Sequence, residues 1–153
     1  MAFKFTVLAV TLALTCAVAS TTPQAQETYP SWPQWGGPTR DFHVASDALA
    51  RSWPSGSPRE LWRRPLGEGY SAVLVEGQTL VTMYRHNDNE IIIGLDAETG
   101  ETRWEYSYEA PLAHDGYFDI WLNAAGPGPY SSPLIAEGIV YAVGVNGHFH
   151  AVD

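Results

Sequence analysis

Two histidines, His148 and His150, stand two residues apart near the end of the chain, with Phe149 between them. On a β-strand that spacing places both imidazoles on one face, where they could offer two nitrogen ligands to a metal facing a channel. No third ligand stands nearby, and an alternating strand with two polar residues turned outward explains the same pattern, so no metal site is assigned to them. A denser group lies between Ala110 and Tyr130, where His114, Asp115, Tyr117, Phe118, Asp119 and Trp121 precede Gly126-Pro127-Gly128-Pro129. Aromatic rings mixed with carboxylates on a loop can form a ligand-binding rim, because function concentrates on loops held above a rigid scaffold. The same rings could instead pack the loop against its own scaffold. His114, Asp115, Tyr117 and Trp121 are the candidate ligand-loop residues. The Gly-Pro-Gly-Pro run is too stiff to cradle a phosphate and is expected to steer the chain into Ser131-Ser132-Pro133. Trp32, Trp35, Trp53 and Trp62 read as packing residues, although an exposed tryptophan can also serve as a flat platform for carbohydrate. None of these groups identifies a catalytic residue.

Composition narrows the partners. The 153 residues carry 8 Lys+Arg against 17 Asp+Glu, a formal net charge of -9. A chain this acidic repels phosphate backbones, which argues against nucleic acid, and it has no basic cluster for an anionic membrane surface. Lys4 precedes an uncharged, mostly apolar run from Phe5 to Val18, and Ala17-Val18-Ala19 supplies the small residues of a signal-peptidase site. Residues 1–19 are therefore expected to be a signal peptide, with Ser20 as the first mature residue. The run is short for a bilayer span, so no membrane span is expected after its removal. Cys16 is the only cysteine, and Leu14-Thr15 before it fit a lipoprotein site poorly. Cleavage after Ala19 leaves no disulfide and no thiol nucleophile, which suits a periplasmic or secreted bacterial protein held together by its core.

The elements that position these residues are strands. Residues 20–58 read as a flexible spacer followed by a Trp/Pro/Gly-rich leader, whose proline and glycine density forbids a long helix. Residues 59–153 then change to short strands. Glu60 to Pro65, Ala72 to Val75, Thr79 to Tyr84 and Glu90 to Leu95 are proposed as strands, with a polar loop from Arg85 to Asn89 and a further strand starting at Arg103. Ile91-Ile92-Ile93 is continuously apolar, the mark of a strand covered on both faces. The chain also repeats itself. Ser71-Ala72-Val73-Leu74-Val75 aligns with Ser131-Ser132-Pro133-Leu134-Ile135 at a spacing of 60, and Ile92-Ile93-Gly94-Leu95-Asp96 aligns with Phe149-His150-Ala151-Val152-Asp153 at 57. That exceeds the ~40–50 residues of common propeller blades, and the insertion from Ala110 to Tyr130 accounts for the excess.

The stretch Leu95-Asp96-Ala97-Glu98-Thr99-Gly100-Glu101-Thr102-Arg103-Trp104 resembles the repeat of the PQQ-like β-propeller family: an aspartate closing one strand, Ala-x-Thr-Gly, then a tryptophan on the next. Gly37-Pro38-Thr39-Arg40-Asp41 in the leader is similar to the start of bacterial secreted members. The resemblance implies an all-β fold, a β-propeller of PQQ-type four-stranded blades, of which residues 59–153 form under two and the second is truncated. Asp96, Thr99, Gly100 and Trp104 are then the structural repeat signature. Asp96 can accept hydrogen bonds from the turn, Gly100 can take positive φ, and Trp104 can fill the gap between blades.

Functionally the resemblance points two ways. The family contains non-catalytic scaffolds, including the lipoprotein of the outer-membrane β-barrel assembly machine. It also contains dehydrogenases that bind pyrroloquinoline quinone (PQQ) and calcium on the propeller axis, often under a disulfide of adjacent cysteines. That pair is absent here, no calcium-ligating segment is identifiable, and Tyr130 stands where many members carry arginine. The expectation is an exported, non-catalytic scaffold with a protein or small-molecule ligand on its loops. A PQQ- and calcium-dependent dehydrogenase with its site in further blades is the alternative.

Overall fold

A computed structural model of the chain describes residues 31–44, 51–53, 56–112, 120 and 124–153. The expected signal peptide lies outside the described residues, as does most of the expected spacer. The fold is all-β. Among the described residues seven antiparallel strands form two sheets, each a simple meander. The first sheet is β1 (Leu74–Glu76), β2 (Thr79–His86), β3 (Asn89–Asp96) and β4 (Thr102–Glu109), in that order. The second is β5 (Leu134–Ala136), β6 (Ile139–Val143) and β7 (Phe149–Val152). Among the described residues no helix is long and apolar enough to cross a membrane.

Turn chemistry sets the meanders. Asn87 takes φ 54° in the two-residue turn joining β2 to β3, while Glu137 and Gly138 take φ 53° and 78° between β5 and β6. Positive φ at both central residues of the Glu137-Gly138 turn matches the twist of the flanking strands. Burial explains the pairing. The isoleucine run of β3 is covered on both faces: Ile92 joins Leu74, Val81, Met83, Ile135, Val140 and Ala142 between the sheets, whereas Ile91, Ile93 and Leu95 pack with Trp62, Leu80 and Tyr84 on the opposite side. β4 is exposed at every second position or more, and its half-buried Trp104 and Tyr108 turn toward the core between the sheets.

Two expectations need correction. Glu60 to Pro65 forms no strand. It is held by side chains rather than by a backbone ladder: Trp62 Nε1 donates to Ala97 O at 3.0 Å, and Arg64 donates to Gly100 O at 2.9 Å and Thr102 Oγ1 at 2.7 Å. The fourth strand of the first blade is β4 instead. The polar loop drawn from Arg85 to Asn89 shrinks to Asn87 and Asp88, because Arg85 pairs with Glu90 and His86 with Asn89 in the ladder. Polarity suggested a loop, but Arg85 is buried there with a charged partner.

The leader is built into the sheets. Trp32 and Val75 exchange two backbone hydrogen bonds of 2.8 and 3.0 Å, and Ile135 N donates to Pro33 O at 2.7 Å. One extended segment thereby satisfies the free edges of both β1 and β5, where unpaired backbone groups would otherwise be exposed. Two further bonds tie the starts of these strands together, Tyr70 N to Pro129 O at 2.9 Å and Ala72 N to Ser132 Oγ at 2.9 Å. β1 and β5, the first strands of the two sheets, lie side by side, and β4 is the far edge of its sheet.

Candidate functional site

The Asp-Ala-Glu-Thr-Gly turn of the repeat occupies one end of the first sheet. Asp96 Oδ1 accepts from Glu98 N at 2.9 Å, Thr99 N at 2.9 Å and Thr99 Oγ1 at 3.1 Å, while Oδ2 accepts from Arg103 Nη2 at 2.6 Å. The Arg103 guanidinium first, and the turn N–H groups after it, hold the Asp96 carboxyl well below the usual carboxylate range. Gly100 has φ +73°, and a Cβ there would lie 2.6 Å from the Trp62 ring. The turn is thus a seat for a tryptophan from outside the sheet, with an indole N–H bond to Ala97 O and a glycine that only hydrogen can fill. Trp104 lies on β4 opposite Gly94, whose missing side chain leaves room for the indole. It borders a crevice with Glu76, Val81, Ile135, Val140 and Val152 between the sheets.

The opposite end, where the insertion leaves the first sheet, carries the charged interior. Arg85 and Glu90 face each other across β2 and β3, with side chains 2% and 0% exposed and Nη2 to Oε1 at 3.4 Å. Arg85 also donates to three carbonyls: Pro127 O at 3.0 Å, Ala110 O at 2.9 Å and Asn87 O at 3.3 Å. Both ends of the insertion are therefore fastened to one guanidinium. Glu90 Oε2 accepts from Tyr108 OH at 2.9 Å and from Val145 N, in the β6–β7 loop, at 3.0 Å. Burial first, and the bond to Glu90 next, push the Tyr108 phenol well above its ordinary value. A Cβ at Gly144 would sit 2.8 Å from both Glu90 Oε2 and Tyr108 OH, so this loop approaches the network as backbone alone.

His150 continues the network. Its ring stacks on Tyr108 with centroids 3.8 Å apart, and its Nδ1 lies 3.4 Å from Tyr106 OH. Burial, then the neighbouring His148, lowers the His150 pKa. His148 stands edge-on to it at 6.5 Å. Among the described residues no group of three or more His, Cys, Asp or Glu is placed to hold a metal ion.

Closer to β1 and β5 the same end opens into a cleft. Tyr70 and Tyr130, one position before the aligned Ser71 and Ser131, are themselves repeat counterparts. Their rings stack with centroids 6.0 Å apart and planes 13° from parallel. Tyr70 is 63% exposed, Tyr130 43% and Trp35 64%. Together with Ser132 they line an open cleft of about 310 Å³. A second hollow, lined by Tyr130, Ser131, Val143, Gly144 and Val145, adjoins it. Trp35 is braced edge-on by Phe42 at 5.4 Å.

The candidate ligand-loop residues His114, Asp115, Tyr117 and Trp121 lie outside the described residues, together with Phe118 and Asp119. Sequence reasoning missed the Arg85–Glu90 pair and the tyrosine stack. The stack had a signal: extending the 60-residue alignment one step upstream pairs Tyr70 with Tyr130. The ion pair had none beyond two opposite charges flanking a short turn.

Two meandering sheets, joined along their first strands and packed face to face around a strand apolar on both sides, define a blade-repeat β protein. The family model of the outer membrane protein assembly factor BamB matches residues 47–153, and the chain belongs to this PQQ-like repeat family. No curated protein and no solved structure matches the chain.

Proposed function

We propose that the chain is an exported, non-catalytic binding scaffold of the periplasm or the cell exterior, presenting ligands or partner proteins at the end that bears the insertion. The observation that carries this reading is the leader. Trp32 and Pro33 are bonded along the edges of both β1 and β5, so the first-strand edge of each sheet is already occupied by the chain itself. The described residues do not fit the quinone of the family's dehydrogenases. PQQ is a polyanion, yet the cleft residues Trp35, Tyr70, Tyr130 and Ser132 carry no cation. Arg64, Arg85 and Arg103 are engaged by backbone carbonyls, a hydroxyl and carboxylates. A calcium ion asks for six to eight oxygens, commonly from several carboxylates, and the described residues supply no such cluster. The family name, an assembly factor for outer membrane proteins, makes a protein partner at the same end consistent with this reading.

Adding PQQ and calcium to the purified protein and following dye reduction with alcohols or sugars tests it. No cofactor-dependent turnover is expected, and turnover would establish the dehydrogenase instead. Export is tested separately by expressing the whole chain in a bacterium and determining the first residue of the periplasmic product. Ser20 is expected, and retention of Met1 would remove the exported part of the proposal.

A further inference from the structure

We propose that the cleft of Trp35, Tyr70, Tyr130 and Ser132 is a binding site for a neutral saccharide. This deepens the scaffold reading and rests on it. Three rings from three different segments converge there: the leader, the approach to β1 and the approach to β5. Each of the three rings is at least 43% exposed, which leaves ring faces free for a ligand to lie on. The volume lies at the lower limit of the roughly 300–1,000 Å³ of small-molecule sites.

Charge removes most ligand classes. No Asp, Glu, Lys, Arg or His lines the cleft, so an anion gains no partner there, and a quaternary ammonium, which the ring faces could attract, would leave the rim hydroxyls unpaired. The polar rim then chooses between a polyol and an apolar or proline-rich ligand. Tyr130 OH donates to Gly126 O, so its proton is committed inward and outward its oxygen can only accept. Ser132 Oγ accepts from Ala72 N at 2.9 Å, so its proton is available to donate outward. The rim accordingly asks for a ligand that donates at one point and accepts at another. A polyproline segment has no N–H to give, whereas a sugar ring has hydroxyls that do both and C–H faces that lie flat on aromatic rings. Tyr70 is held by its backbone bond to Pro129 and Tyr130 by its hydroxyl bond to Gly126, so the platform is formed before the ligand arrives, which lowers the cost of binding.

The test uses the whole purified chain with cellotetraose, maltotetraose and chitotetraose as probes and hexaproline as the competing peptide, read by calorimetry and tryptophan fluorescence. At least one oligosaccharide is expected to bind saturably, with little change on adding salt. Trp35→Ala and Tyr70→Ala should each weaken it about tenfold or more, Tyr130→Phe by a few-fold, and Trp53→Ala, outside the cleft, not at all. All four positions are exposed, and unchanged thermal midpoints would confirm that folding is intact. The proposal is overturned if none of the three binds at about 10 mM, if binding survives both alanine variants, or if hexaproline binds and the saccharides do not. Quinone-dependent turnover would instead reject the scaffold reading. Loss of saccharide binding without such turnover would remove only this inference.

Discussion

Replacing Arg85 or Glu90 probes the point on which the insertion-bearing end depends. Arg85 is 3% exposed and Glu90 0%. Glu90→Gln keeps the shape and an acceptor for Tyr108 and Val145 but leaves the guanidinium without its counter-charge. Removing one member of a buried pair costs about 3–5 kcal/mol, a large share of the ~5–15 kcal/mol that holds a typical domain. Arg85→Met should cost at least as much, because it strands the Glu90 charge and leaves the carbonyls of Pro127, Ala110 and Asn87 without their donor. At a urea slope of about 2 kcal/mol/M, either loss moves the unfolding midpoint by roughly 2 M. The sharper test is the pair. Once Arg85 is methionine, the Glu90 charge is only a cost, so adding Glu90→Gln should raise stability, and the coupling should be at least the about 3–5 kcal/mol that the single change costs. Equal effects of Glu90→Gln in both backgrounds, or single losses under about 1 kcal/mol, would refute the reasoning.

Three further outcomes follow from the geometry. Gly100→Ala forces a side chain into φ +73° and into the Trp62 ring, at about 1 kcal/mol for the backbone and about 1 more for the displaced indole bond. Thermal midpoints should show a smaller cost in a Trp62→Ala background. Asp96 is held below its ordinary 3.8 by Arg103 and the turn N–H groups, so its contribution is present above that value and lost as pH falls through it. Asp96→Asn should flatten the acid limb of a midpoint-against-pH curve. His150 is lowered from 6.5 by burial and by His148, so the unfolded chain takes up its proton first and stability falls as pH drops below 6.5. An NMR titration should place His150 below a free imidazole, and His150→Phe should remove that slope.

Local pattern carried the fold a long way. The 60-residue repeat, the Asp-Ala-Glu-Thr-Gly turn and the isoleucine run each follow from short-range rules: turn residues that accept positive φ, and a strand apolar on both faces. β1, β2, β3 and β4 lie within a few residues of their expected positions, except that Arg85 and Asn89 extend the central hairpin. Glu60 to Pro65 misled because an apolar pair, Leu61 and Trp62, looks the same whether its backbone joins a ladder or one side chain docks alone. His114, Asp115, Tyr117 and Trp121 are candidates on composition, and their placement remains outside the described residues.

The sequence by itself determined the blade repeat, the acidic character and the chemistry available at each turn, because these depend on neighbours a few residues apart. Tertiary structure decided which residues meet. Arg85 and Glu90 become a buried pair only when the insertion and the β6–β7 loop close over them. Trp32 and Pro33 become an edge cover only when β1 and β5 lie side by side. Tyr70 and Tyr130, separated by 60 positions, become one aromatic surface because equivalent points of adjacent sheets are brought within stacking distance. Leu134, Val143 and Phe149 match the buried Leu74, Met83 and Ile92 in the repeat yet stand exposed, since no described residue packs on that face. Periodicity sets which residues are equivalent, but burial is a property of what covers them.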